Sequence, residues 1–163
     1  MKTIKTTKTI IALSLAAAAL TGCQATQTVP TVELETVNVN VNAEPSDMYE
    51  AMTQCVLDHI NPPAAGQLFT YQSEKNNQFA FVYSFDTPWT IMGMAHSYET
   101  RATVRFNGKR GELKSQGMKF YFEPTDYSSG GWSSAANGAL IDAGRNEVNG
   151  MLHSLADCVP TYL

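Results

Sequence analysis

Between Tyr98 and Phe122 the chain is patterned for a two-stranded hairpin, and this block constrains the fold more than any other. Tyr98, Thr100, Ala102, Val104 and Phe106 alternate with Glu99, Arg101, Thr103 and Arg105. Successive side chains of a strand point to opposite faces, so a period of two buries one face and wets the other. Asn107-Gly108-Lys109-Arg110-Gly111 follows, a run that tolerates positive φ and predicts a turn. In the answering strand, Glu112 to Phe122, Met118, Phe120 and Phe122 share one face against Lys119 and Tyr121. Such a hairpin needs a cover for its apolar face.

Upstream, Gln67 to Gln72 carries Phe69 and Tyr71, and Phe79, Phe81, Tyr83 and Phe85 alternate with Ala80, Val82 and Ser84. The segment from Trp89 to His96 has neither period and reads as a further short strand or a covering loop. Glu123 to Gly131 is turn-rich, with Pro124, Asp126, Ser128 and Ser129. Helices bracket the strands. Pro45-Ser46 opens the first, with Ser46 as its cap and Asp47 and Glu50 where the helix dipole favours negative charge. Met48, Met52, Cys55, Val56 and Ile60 fall on one face, and Asn61-Pro62-Pro63 ends the helix. The second helix is predicted from Ser133 or Ser134 to Cys158. Its stripe is Leu140, Gly144, Val148, Met151, Leu155 and Cys158, widened by Ile141 and Leu152. Gly138, Gly144 and Gly150 each cost about 1 kcal/mol against alanine, a cost that suits close approach to a sheet. The expected fold is α+β: an antiparallel sheet of four or five strands packed against an N-terminal helix and a long C-terminal helix, in one domain over residues 46–163.

From Arg101 to Phe122, a strand, a glycine-basic turn and a long answering strand ahead of a C-terminal helix resemble small exported domains of the TATA-box-binding-protein-like fold. The resemblance covers roughly residues 46–158 by element order. It implies a curved antiparallel sheet backed by helices and carries no activity.

Lys2, Lys5 and Lys8 precede the apolar run Ile10 to Ala19, the order of a secretory signal and too short to span a bilayer. Leu20-Thr21-Gly22-Cys23 then resembles the lipobox of bacterial lipoproteins. That implies a signal peptide over residues 1–22 and a lipidated Cys23 carrying several acyl chains, which attach the protein to a membrane. Two or more such attachments hold firmly where one holds marginally. Gln24 stands where an aspartate would imply inner-membrane retention, so the family rule favours the outer membrane, with the domain facing the periplasm. Residues 23–45 then form the anchor and a flexible tether without an aromatic residue, although Val37, Val39 and Val41 alternate with asparagines in an edge-strand pattern. As a coil, about 21 residues would span on the order of 25 Å.

With Cys23 assigned to lipid, Cys55 and Cys158 remain. An even pair in an oxidising compartment reads as one disulfide, and two reduced core thiols are the alternative. Two thiols without a Cys-x-x-Cys or clustered histidines do not make a metal site, and no cofactor fingerprint is visible.

Removing the three signal lysines leaves 8 Lys and Arg against 15 Asp and Glu. That acidity argues against a nucleic-acid partner. Six of the remaining cations nevertheless crowd one stretch: Arg101, Arg105, Lys109, Arg110, Lys114 and Lys119. They form a positive patch suited to anionic lipid, lipopolysaccharide or an acidic envelope protein. A solvated sheet face, with lysines discouraging edge pairing, is the plainer alternative. Trp89 and Trp132 fall in or beside loops, where they line a binding surface or cover a sheet edge.

Catalytic signals are few. His59 ends the first helix, where a cation suits the dipole; His96 lies in the segment without a period; His153 is off the stripe of the last helix. No Gly-x-Ser-x-Gly elbow, His-Glu-x-x-His pair, calcium loop or phosphate loop is present. The sequence points to a non-enzymatic outer-membrane lipoprotein whose domain binds another cell-envelope component. The alternative is a small-molecule or lipid-binding domain with a cavity between sheet and helices. A hydrolase built on a serine near His96 or His153 ranks third.

Overall fold

The computed structural model describes residues 35–91, 93–124, 130–134 and 136–163. The signal segment, Cys23, most of the expected tether and the turn residues Asp126, Ser128 and Ser129 lie outside the described residues.

Strand β1 (Thr36–Asn38) leads into helix α1 (Pro45–His59), followed by β2 (Phe69–Ser73), β3 (Gln78–Ile91), β4 (Met94–Asn107), β5 (Glu112–Phe122), β6 (Gly131–Ser133) and helix α2 (Gly138–Cys158). All strand pairs are antiparallel, in the order β1-β5-β4-β3-β2, with β6 also on β5. The class is α+β as expected, and the short β1 and β6 raise the sheet to six strands. One face of the sheet packs under both helices, and the opposite face is open.

Alternation in β3, β4 and β5 decides which face is covered. Phe79, Phe81, Val104, Phe106, Leu113 and Phe120 project to the helix side and are buried against Met52, Val56, Leu140, Val148, Leu152 and Leu155. A polar pair is enclosed too: Thr87 and Thr100 share a hydrogen bond between their hydroxyls at 2.7 Å, which satisfies both. Cys55 and Cys158 form a disulfide, with Cα atoms 6.0 Å apart, tying the last turn of α1 to the end of α2.

Four boundaries differ from expectation. The domain begins before residue 46, because Thr36–Asn38 pair with β5 and Val37 and Val39 are only 5% and 6% exposed. Their burial against the core outweighs the linker-like composition around them. Ser46 does not cap α1; Pro45 occupies its first turn, Glu44 holds the cap position, and Ser46 bonds to Asp47. Proline suits that first turn because its missing N–H has no helical partner there. Trp89 to His96 is neither an extra strand nor a loop, since β3 and β4 run on and pair as far as Ile91 and Met94. Finally, α2 starts at Gly138, later than Ser133 or Ser134. Asn137 caps it by accepting from the Leu140 N–H at 2.9 Å, and Ser133 is engaged in β6.

The helix glycines separate into two kinds. A Cβ at Gly144 would sit 3.3 Å from the Phe120 ring and 3.4 Å from Met118 Sδ, so α2 is seated on β5 there. At Gly150 a Cβ would meet nothing within 4 Å. Gly150→Ala is therefore expected to stabilise the domain by about 1 kcal/mol, while Gly144→Ala loses that gain to crowding. Urea unfolding of the two variants checks this, and equal gains would mean that Gly144 is not a seat.

Candidate functional site

The open face of the sheet carries the basic patch, and a β-bulge assembles it. Thr103 pairs with Gly117 and Val104 with Ser115, so Gln116 is an extra residue in β5. A bulge sets two residues against one and resets the alternation beyond it. Leu113 and Ser115 point inward before it, and Met118 and Phe120 after it. Lys114 and Lys119, five positions apart, consequently project from the same open face.

Register then sets cation against cation. Arg105 lies directly opposite Lys114, and Arg101 directly opposite Lys119. Like charges at directly opposed positions destabilise a ladder by roughly 0.2–1 kcal/mol per pair. Among the described residues Arg105, Lys114 and Lys119 have no carboxylate partner. Lys109 and Arg110 sit on the turn at the same end of the hairpin, and Arg110 approaches Glu112 at 3.7 Å. The structure thus gathers four of the six predicted cations on one face and leaves two at its rim.

Arg101 differs from the other three. One guanidinium nitrogen bonds Glu99 Oε1 at 3.0 Å, and the group lies 4.3 Å from the centre of the Trp132 ring. Trp132 comes from β6 and packs against Tyr121 with ring centroids 5.5 Å apart. Arg101 Nε and the hydroxyl of Ser84, its register partner on β3, are buried without a hydrogen-bond partner among the described residues. Beside this cluster runs a groove of about 550 Å³, floored by Val82, Thr103 and Gly117 and walled by Arg101, Lys119, Gln116, Trp132 and Ser134.

The same face turns acidic toward the β3–β4 turn. Asp86 opposes Glu99, and with Glu123 and His96 they line a second groove of about 620 Å³. Among the described residues no group of three or more His, Cys, Asp or Glu side chains is placed to hold a metal ion. Behind the sheet, a cleft of about 280 Å³ brings His59, Tyr83, Glu147 and Ser154 together. There the Tyr83 hydroxyl donates to Glu147 Oε1 at 2.9 Å, and burial together with that bond holds the phenol well above its usual range. His153 pairs instead with Glu35 at 3.4 Å. Neither Ser97 nor Ser154 is hydrogen-bonded to a histidine among the described residues.

The cations are legible in the sequence, and so is Thr103, which shares their face of β4. Trp132 and Gln116 are brought to this site only by the register of β6 and β5.

No family model and no curated protein matches the chain. Among solved structures, the fold is similar to that of a DUF4468 family protein from Bacteroides ovatus, with a TM-score of 0.53 and 11% sequence identity over 77% of this chain and 83% of that chain. At that identity the likeness concerns the fold alone. No helix among the described residues is long and apolar enough to cross a membrane.

Proposed function

We propose that this chain is a lipid-anchored outer-membrane protein, attached through Cys23, whose non-enzymatic domain binds an anionic component of the cell envelope on the open face of its sheet. The observation that carries this reading is the double opposition of Arg105 to Lys114 and Arg101 to Lys119. Two repulsive pairs in one ladder are a stability cost that an anionic partner relieves. Between sheet and helices the core is packed and the cleft at Tyr83 and Glu147 holds about 280 Å³, about half the volume of the groove on the open face, which favours this reading over a ligand cavity there. The lipobox-like Leu20-Thr21-Gly22-Cys23 supports the anchor.

A single substitution separates this from a merely solvated face. Lys114→Glu turns a repulsive pair into an attractive one, so it should stabilise the domain by up to about 1 kcal/mol. The same change should weaken binding to anionic envelope fractions about tenfold, equivalent to ~1.4 kcal/mol. Urea unfolding gives the first quantity, and co-sedimentation with lipopolysaccharide, anionic vesicles and murein sacculi at two salt concentrations gives the second. Stabilisation without any loss of binding, or binding indifferent to salt, would sink the reading. Incorporation of labelled palmitate, abolished by Cys23→Ser, tests the anchor separately.

A further inference from the structure

The geometry points to an acidic saccharide, a sugar chain bearing carboxylate or phosphate, as the ligand of the groove between Arg101, Lys119 and Trp132. This rests on the reading of the open face as an anion-binding surface and narrows it to one ligand class.

Three observations select that class. The first is a fixed cation. Arg101 is held by Glu99 on one side and by the Trp132 ring on another, so its planar donors are oriented before anything binds. A guanidinium presents a rigid fork that matches carboxylate and phosphate, and prior orientation lowers the entropy cost of binding. Lys119, opposite Arg101 and free of carboxylate partners among the described residues, adds a mobile second charge.

The second is an aromatic ledge beside those charges. Trp132 and Tyr121 are each 37% exposed and in mutual contact. A flat apolar ring with a polar edge suits a ligand that is itself part apolar face and part hydroxyl. The third is the set of hydrogen-bonding groups around the floor. Thr103 and Ser134 bring hydroxyls and Gln116 an amide. Hydroxyls and amides both donate and accept, as a sugar hydroxyl does. An acyl chain would need a continuous aliphatic trough, and the aliphatic side chains among the described lining residues are Val82 and Met118 alone, set between charged and hydroxyl-bearing neighbours. A bare polyanion would need the cations and leave the ledge and hydroxyls unused.

Calorimetric titration of the full-length lipidated protein in detergent tests this with three probes: a uronic-acid oligosaccharide, its neutral counterpart of equal length, and inorganic polyphosphate. The acidic oligosaccharide should bind at least tenfold more tightly than either of the others. Gln116→Ala should weaken saccharide binding severalfold and leave polyphosphate binding unchanged, and Trp132→Leu, which also releases Arg101, should weaken saccharide binding more than polyphosphate binding. Trp132 is partly exposed at a short strand, so the Gln116 variant keeps the test decisive if the Trp132 variant folds poorly. Purified lipopolysaccharide and murein glycan strands, titrated in parallel, distinguish the two envelope sources of such a sugar. Equal affinity for polyphosphate and saccharide, unaffected by both substitutions, overturns the saccharide proposal while the anionic-face reading survives. Failure of every anion to bind overturns both.

Discussion

Reducing the disulfide between Cys55 and Cys158 is expected to lower the melting temperature of the domain by more than about 10 °C. The bond closes a loop with a sequence separation of 103 residues, which contains almost the whole sheet. On the chain-entropy account a loop of that length constrains the unfolded ensemble by roughly 4–5 kcal/mol. Domains of this size have total stabilities of about 5–15 kcal/mol, so the bond is a large share. Cys55 is fully buried and Cys158 nearly so, which keeps reductant away from the native state and makes reduction proceed through unfolding. Scanning calorimetry with and without a strong reductant, after denaturation and refolding, measures the effect. The reduced wild-type chain retains both side chains, so the loss reflects the cross-link more than a cavity. Coincident melting curves would show that the two thiols are unpaired in the native protein.

How much of this architecture the sequence disclosed depends on whether a local pattern had a core to write it. The alternation from Tyr98 to Phe106 was legible because every second residue meets the helices. Trp89 to His96 was not, because the pairing of β3 with β4 continues where Pro88, Thr90, Met94 and Ala95 are all exposed. Trp89 alone among the described side chains of this stretch packs against the core, and one inward residue does not write a period of two. The basic patch was legible as a cluster, but its pairing was hidden by Gln116. On an unbroken strand Lys114 and Lys119 would point to opposite faces, and a single bulged residue puts them together. Trp132 reaches Arg101 through a three-residue strand, too short to carry a pattern of its own. In the same way Val37 and Val39 lie in a stretch of linker-like composition, and two buried valines among asparagines are a weak signal until β5 is beside them.

Gly108 is the position where a one-carbon change is expected to cost most. Its role is easily mistaken for that of a flexible turn residue. A Cβ there would lie 2.8 Å from the Pro45 carbonyl oxygen and 3.1 Å from that of Asn77. Both obstacles are backbone, so neither can swing aside. The Gly108 N–H donates to the Asn77 oxygen at 2.7 Å, and Asn77 itself holds a left-handed conformation at φ 52°. Two chain reversals and a helix start therefore meet at one point: the turn between β2 and β3, the turn between β4 and β5, and the first residue of α1. Gly108→Ala should destabilise the domain by about 3 kcal/mol, the upper end for overpacking, because relieving the clash means separating α1 from the hairpin. Gly150→Ala, with open space around the new methyl group, is the matched control and should change stability in the opposite sense. Below its lowered melting temperature the Gly108 variant should still bind anions, since Arg101 and Lys119 lie several ladder positions away from the turn. Unchanged stability would mean that the hairpin turn and α1 are not in contact. A folded variant that no longer bound anions would assign the recognition to Lys109 and Arg110 on the turn, and not to the cations of the open face.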